Sequence, residues 1–285
     1  MRKVALGEVL IATVGLAIRR HCMSAPDEKI RARIADLRKL LMLMDRNQRT
    51  GQSVVREIRE QASYADWAPS YDDVDDEGDH GFEHEQPVVR ALLDTLPVGR
   101  VLDAACGTGR HLTHLLELGH AVAGFDRSPE MLAMAKAKAP DADLRVAALE
   151  EIPWEDGAFD SVLCGLAMEH QPAVAVPVRE LARVTRRGGR VIISDQHPMH
   201  KFLGHQAMYI AKDGAFGFIP SYMHLHSEYL RAFADAGLQV RQCLEPVVGP
   251  RDSIVATKMY DSIREAAAMA YLGLPMVLVW DLERL

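Results

Sequence analysis

Cysteine is scarce: Cys22, Cys106, Cys164 and Cys243 are the four in 285 residues. They stand far apart, in neither a metal-ligand spacing nor a disulfide framework, which fits reduced thiols in a cytoplasmic protein. Basic excess is also missing, since 33 Lys and Arg face 40 Asp and Glu for a net charge of -7. That balance argues against nucleic acid as a partner, because neutralising phosphates needs clustered Lys and Arg. No apolar run approaches the ~20 residues of a membrane span. The nearest, Val4 to Ile18 behind Met1-Arg2-Lys3, is broken by Glu8, followed by Arg19-Arg20-His21, and lacks a small-x-small cleavage site. A helix docking on a partner is the expectation for it, with Met23 as an alternative start. No repeat or low-complexity segment appears. Hydrophobic residues make up 48% of the chain, enough for the core of one large domain with or without an appendage.

The informative stretch is Val101-Leu-Asp-Ala-Ala-Cys-Gly-Thr-Gly-Arg110. An apolar run enters Asp103, a small-residue turn carries Gly107 and Gly109, and Leu112, Leu115, Leu116 and Leu118 follow. The pattern reads strand, glycine loop, helix, with glycines that let backbone approach a ligand and a helix N-terminus behind them. The dinucleotide fingerprint Gly-x-Gly-x-x-Gly fails at its third place, which is Leu112, and an acid precedes the glycines instead. A second acid, Asp126, closes the next predicted strand, Ala121 to Phe125. This ordered set resembles motif I and the following acid of the class I S-adenosylmethionine-dependent methyltransferases, in particular the ubiquinone-type and bacterial small-molecule natural-product enzymes.

Along the chain, Ser24-Ala-Pro-Asp-Glu opens a helix with apolar residues from Ile30 to Met44 at helical spacing. Ser53 opens another, with Val54, Val55 and Ile58. Residues 1–63 are thus expected as a helical appendage, packed on the sheet, covering the active site or exchanging with a second subunit in a homodimer. Asp72 to His80 reads as a solvated acidic loop. A helix from Glu85 to Leu96 precedes a βα alternation that implies a parallel sheet with crossover helices. Its strands are Arg100 to Ala104, Ala121 to Phe125, Leu144 to Ala148, Ser161 to Gly165, Arg190 to Ser194 and Gln239 to Leu244. A helix near Lys258 to Tyr271 leads to a last strand, Pro275 to Asp281. Arg187-Gly188-Gly189 is similar to the family's Leu-x-Pro-Gly-Gly turn, with Arg186 and Arg187 in place of its Lys-Pro. The fold class expected is α/β: a Rossmann-like seven-stranded, mostly parallel sheet with an antiparallel last strand and helices on both faces. Residues 64–285 form the methyltransferase domain, with an acceptor-binding insertion at 197–224.

The resemblance implies S-adenosylmethionine as cofactor and assigns its contacts residue by residue. Asp103 lies on the methionyl amine side, Ala105, Gly107 and Gly109 present the loop backbone, and Asp126 takes the ribose diol. Arg127 and Met131 flank the adenine. The family's acid after strand three is replaced by Ala148, so the adenine amine is read by the backbone of Leu149 or by Glu150. Leu166 and Ala167 line the floor. Tyr64 and Tyr71, in Tyr-Ala-Asp-Trp-Ala-Pro-Ser-Tyr, resemble the family's segment folded over the cofactor. Seven apart, they share one face of a helix and meet cofactor or acceptor, or else pack as core.

Histidine is the usual base near neutral pH, and twelve are present. His197, in Asp195-Gln-His-Pro at the end of strand five, is the first candidate base or orienting group, with Asp195 to hold its tautomer. His170 and Tyr71 are further catalytic candidates. His200, His205, His224 and His226 are surface or pocket residues, and the last two point opposite ways if extended. No metal is expected, because no helical i, i+4 ligand pair appears. Phe202, Met208, Tyr209, Phe216, Phe218, Tyr222 and Met223 give the insertion the lining of a pocket for a flat organic ligand, or a small subcore. The function expected is methyl transfer to a small, largely apolar, aromatic acceptor in secondary metabolism. A fold that binds cofactor without methyl transfer, and a nicotinamide-dependent oxidoreductase, stand as alternatives.

Overall fold

The structure is a computed structural model. It describes residues 6–46, 56–57, 62–68, 71–72, 82–204, 207–210, 216–219, 221–252 and 258–285. His205 and the run 73–80 lie outside the described residues.

The main sheet has seven strands: β2 (Arg100–Ala104), β3 (Ala121–Asp126), β4 (Asp143–Val146), β5 (Phe159–Gly165), β6 (Thr185–Gln196), β9 (Leu238–Leu244) and β10 (Val277–Arg284). Their order is β4-β3-β2-β5-β6-β10-β9. β10 enters antiparallel to both neighbours, and the pairings among β2 to β6 are parallel. This is the sheet expected from the alternation, with boundaries moved by a few residues. β6 begins early, at Thr185, and its register against β5 shifts between Phe159 and Ser161. Gly189 accounts for the tight passage: a Cβ there would sit 2.6 Å from the Asp160 carbonyl oxygen.

Strand side chains alternate between faces, and here both faces are covered, so the strands read as continuous apolar runs. Val101, Leu163, Ile192, Val277 and Val279 share one core with α4 (Phe82–Leu93), α5 (Leu112–Glu117), α6 (Pro129–Lys138) and α10 (Arg264–Tyr271). Leu102, Val162, Val191, Leu278 and Trp280 share the other with α7 (Ala175–Val184) and α9 (His226–Asp235). Ser128 caps α6, accepting from the Met131 N–H, with Pro129 in the first turn.

The N-terminal segment packs on its own chain. α1 (Leu6–His21) buries Leu10, Val14 and Ala17 in the first core, beside Ala266, Ala267 and Ala270 of α10. Thr13 Oγ1 lies 3.2 Å from the Tyr271 hydroxyl, and Arg20 donates to the carbonyls of Ala270 and Leu272. From α2 (Asp27–Arg46), Arg33 pairs with Glu265. The helix expected from Ser53 is corrected: Arg56–Glu57 form a short strand, β1. β1 pairs in parallel with β8 (Phe216–Ile219), which pairs antiparallel with β7 (Ala207–Ile210). The hairpin edge offers ladder partners to a segment preceded by β-branched Val54 and Val55, and this outweighs helical spacing.

Candidate cofactor and acceptor site

The loop after β2 carries three left-handed residues, Ala105, Gly107 and Gly109, with φ of 56°, 55° and 83°. The two glycines serve different ends. A Cβ on Gly107 would meet nothing within 4 Å among the described residues, so its bare face opens on a space. A Cβ on Gly109 would lie 3.0 Å from Leu112 and 3.2 Å from Ala135, so that glycine admits close packing of α5 and α6. The Cys106 N–H donates to the Phe125 carbonyl and fastens the loop to β3.

Asp126 closes the same space from β3. Its two oxygens accept from the Gly107 and Ser128 N–H groups, each at 2.9 Å. Burial pushes its pKa up, and the N–H donors of Ser128 and Gly107 partly offset this. Asp103 is 2% exposed, and its Oδ2 has no hydrogen-bond partner among the described residues. Burial pushes its pKa up to about 7, with Arg110 opposing and Glu85 and Asp126 adding. Leu166, expected as the floor, is also left-handed at φ 51°, and its N–H donates to both the carbonyl and the hydroxyl of Ser194. Met131 and Leu149 are buried in the α6 and β4 neighbourhood, and Arg127 is exposed. Glu150, the other adenine-side candidate, is exposed.

Tyr64 and Tyr71 do not share a helix, because α3 spans Ala62–Trp67. Trp67 stands between them instead, with ring centroids 6.3 Å from Tyr64 and 4.7 Å from Tyr71. Tyr64 packs edge-on against His170 at 6.0 Å. Its hydroxyl pKa is pushed up by burial and then by Tyr71, Asp126 and Glu169. Tyr71 packs on Phe82, whose ring carries the Arg110 guanidinium at 4.5 Å. Asp72 ties this strap down by accepting from the Thr108 hydroxyl at 2.7 Å and from Lys138 Nζ.

The end of β6 is differently built. Asp195 does not hold His197: its carboxylate accepts from the Tyr229 hydroxyl at 2.6 Å and from the Gln196 N–H. Burial pushes its pKa up to about 7, with Glu169 adding. His197 instead caps α8 (Pro198–Phe202), with Nδ1 accepting from the Met199 N–H, while Nε2 lies 2.9 Å from Glu245 Oε1. Both ring nitrogens are therefore engaged, and the shared tautomer carries its proton on Nε2. His226 reaches the same carboxylate oxygen at 3.0 Å. His197, His226 and Glu245 thus offer three ligand atoms within 4.8 Å of one another. A metal on His197 Nε2 needs the proton on Nδ1, where the Met199 N–H already points, so the capping bond opposes that use. His224 turns the other way, to the Met168 carbonyl at 3.0 Å. His200 is buried in α8.

Three groups at the site escaped the sequence. Glu85 is fully buried against Arg110, and Lys201 forms a buried ion pair with Glu169. Acids in a helix's first turn and a lysine among polar residues read as solvated, and no spacing betrays their burial. Arg110, directly after Gly109, was the one hint.

Strand order, antiparallel β10, the glycine loop and the acid that ends β3 define the class I S-adenosylmethionine-dependent methyltransferase fold. Residues 102–193 match the model of the methyltransferase domain family. Over those residues the chain is similar to that family. A demethylmenaquinone methyltransferase of Beutenbergia cavernae is 35% identical over 109 residues, 37% of this chain and 45% of that protein. A ubiquinone biosynthesis O-methyltransferase of Xanthomonas oryzae pv. oryzae is 34% identical over 111 residues, 37% of this chain and 46% of that protein. The chain thus spans about half the length of these curated relatives. The structure of an S-adenosylmethionine-dependent methyltransferase from Mesorhizobium loti matches 70% of this chain and 96% of that one, with TM-score 0.53 and 23% identity, a likeness of fold. No helix among the described residues is long and apolar enough to cross a membrane.

Proposed function

We propose that the chain transfers a methyl group from S-adenosylmethionine to a small, largely apolar, aromatic acceptor. The observation that carries this reading is the pairing of an open glycine face at Gly107 with a buried, unpartnered carboxylate oxygen on Asp103. Buried polar atoms are normally satisfied, and an ammonium is the complement that a buried carboxylate lacks. Asp126 uses one lone pair on each oxygen for the loop, leaving acceptor capacity for a vicinal diol. The group fits the residues present, and when bound it supplies a methyl on a positively charged sulfur.

The chain's part is alignment, since an activated methyl needs an in-line nucleophile and little else. Tyr64 and His170 form the wall facing that space, and Leu166 and Ala167 the floor. Where the acceptor loses a proton, His170, packed against Tyr64, is the residue placed to take it. His197, with both nitrogens engaged, positions α8.

The test is calorimetric titration with S-adenosylhomocysteine, followed by transfer of labelled methyl from S-adenosylmethionine to a panel of phenols, quinols and indoles. Binding together with acceptor-dependent release of S-adenosylhomocysteine supports the reading. Binding with no release across the panel favours a cofactor-binding role without transfer, and no binding overturns both.

A further inference from the structure

Glu85 belongs to no motif, yet it is fully buried where three segments meet. Its Oε2 accepts from Arg110 Nη1 at 2.6 Å, and its Oε1 accepts from the Ser194 hydroxyl at 2.7 Å. His111 Nε2 lies 3.4 Å from the same Oε1. Because the Ser194 hydroxyl donates its proton to Glu85, its lone pairs turn to the Leu166 N–H, 3.2 Å away. Leu166 holds a left-handed conformation that a branched side chain adopts only when its surroundings impose it. Gly165 beside it packs closely on the cluster: a Cβ would sit 3.2 Å from Glu85 Oε1, 3.3 Å from Arg110 Nη2 and 3.6 Å from His111 Nε2.

We propose that Glu85 is a positioning residue for the cofactor, gripping the glycine loop through Arg110 and the opposite floor through Ser194 and Leu166. The inference rests on the cofactor reading above. One turn of α4 holds Arg110 from two sides, since the Phe82 ring covers the guanidinium that Glu85 neutralises. A buried ion pair is poor evidence for stability, because desolvation offsets its attraction. What the pair supplies is a fixed distance between β2's loop and β5's end. It also enters the charge balance at Asp103, whose ionisation Arg110 favours and Glu85 and Asp126 oppose. With Glu85 neutralised, the Arg110 guanidinium is left to pair with Asp103, which lowers the pH at which that carboxylate ionises and competes with a cofactor ammonium for it.

The experiment titrates S-adenosylhomocysteine into the wild type, Glu85→Gln, Ser194→Ala and the charge-balanced double variant Glu85→Gln/Arg110→Gln. Titrations span about pH 5.5 to 8.5, with melting curves of the ligand-free proteins alongside. Glu85→Gln and Ser194→Ala should each weaken binding about tenfold or more, a loss of the size expected for hydrogen bonds to charged groups. In Glu85→Gln the midpoint of the affinity–pH curve should move to lower pH. The double variant should recover melting temperature without recovering affinity. Affinity that follows melting temperature through all variants, with an unmoved pH midpoint, overturns the proposal. If Glu85→Gln does not fold, Ser194→Ala decides alone, and wild-type affinity there overturns it. A wild type that does not bind S-adenosylhomocysteine overturns the cofactor reading, and this inference with it, before any variant is compared.

Discussion

Two neighbourhoods at the carboxyl edge of the sheet make a contrast. Around β2 and β3, Asp103 keeps a buried oxygen without a partner among the described residues, and Gly107 faces open space. Around β6 and β9, Asp195 answers Tyr229, His197 answers Met199 and Glu245, and His224 answers the Met168 carbonyl. Folding leaves few buried polar groups unsatisfied. Under the proposed function the first neighbourhood is the one a ligand completes; in the second Asp195, His197 and His224 each have a protein partner, although Gln196 Oε1 and Trp280 Nε1 have none among the described residues. Residue type alone would have suggested the reverse, since the histidines cluster in the second.

The sharpest way to break the contrast is Asp126→Ala. It removes the diol acceptor and leaves two loop N–H groups without their partner, so S-adenosylhomocysteine affinity should fall about a hundredfold, following ~1.5–3 kcal/mol per hydrogen bond to a charged group. Calorimetry reads this directly, and retained wild-type affinity would remove Asp126 from the site.

The two loop glycines come next. Both gain left-handed strain of ~1–2 kcal/mol as alanine. Gly107→Ala places its methyl in the ligand space and should cost binding more than melting temperature. Gly109→Ala strikes Leu112 and Ala135 and should cost melting temperature more than Gly107→Ala does. Equal losses in both measures would mean that Gly107 faces no ligand.

pH separates the neighbourhoods further. Asp103 and Asp195 both have folded pKa values raised to about 7 from an ordinary 3.8. Between those values the folded chain binds more protons than the unfolded one. Their contribution to stability is therefore present at the acid end and is lost as pH rises toward 7. Cofactor affinity runs the other way, because an ammonium pairs with ionised Asp103. It should rise about tenfold from pH 6 to 8, following the ionised fraction of a group with pKa near 7. Asp103→Asn should flatten the affinity curve, while Asp195→Asn should flatten only part of the stability curve. An affinity slope that survives Asp103→Asn would assign it elsewhere.

Smaller effects belong to the strap and to the capping histidine. Asp72→Ala frees Thr108 and Lys138, both partners of an exposed carboxylate. It should raise the S-adenosylhomocysteine off-rate by no more than about fivefold, as ~0.2–1 kcal/mol for such pairs implies. His197→Ala should lower stability by ~1 kcal/mol, the worth of a helix cap, and change methyl-transfer rate less than His170→Gln does. A larger kinetic loss at His197 than at His170 would return the base to His197.

The uneven legibility of the site follows from the range of the interactions. Asp103, Gly107, Gly109 and Asp126 lie within one strand–loop–helix–strand unit, where pleat, turn and helix start are local matters that adjacent residues impose. The same holds for the strand order, because alternating β and α patterns with right-handed crossovers leave few ways to arrange a parallel sheet. Glu245, which engages His197 Nε2, is 48 residues away, and Ser194, which donates to Glu85, is 109 away on β6. Tyr64 and Tyr71 were misread because helical spacing was extended past Trp67, where α3 ends.

Strand, glycine loop and the two acids were therefore written into neighbouring residues, since backbone conformation and apolar periodicity are short-range. Packing settled the rest: which carboxylates are buried, which histidine nitrogens are engaged, and that Arg110 is gripped from α4. Burial and pairing depend on where a helix lands against a sheet, and that is a property of the whole chain's packing rather than of any segment's composition.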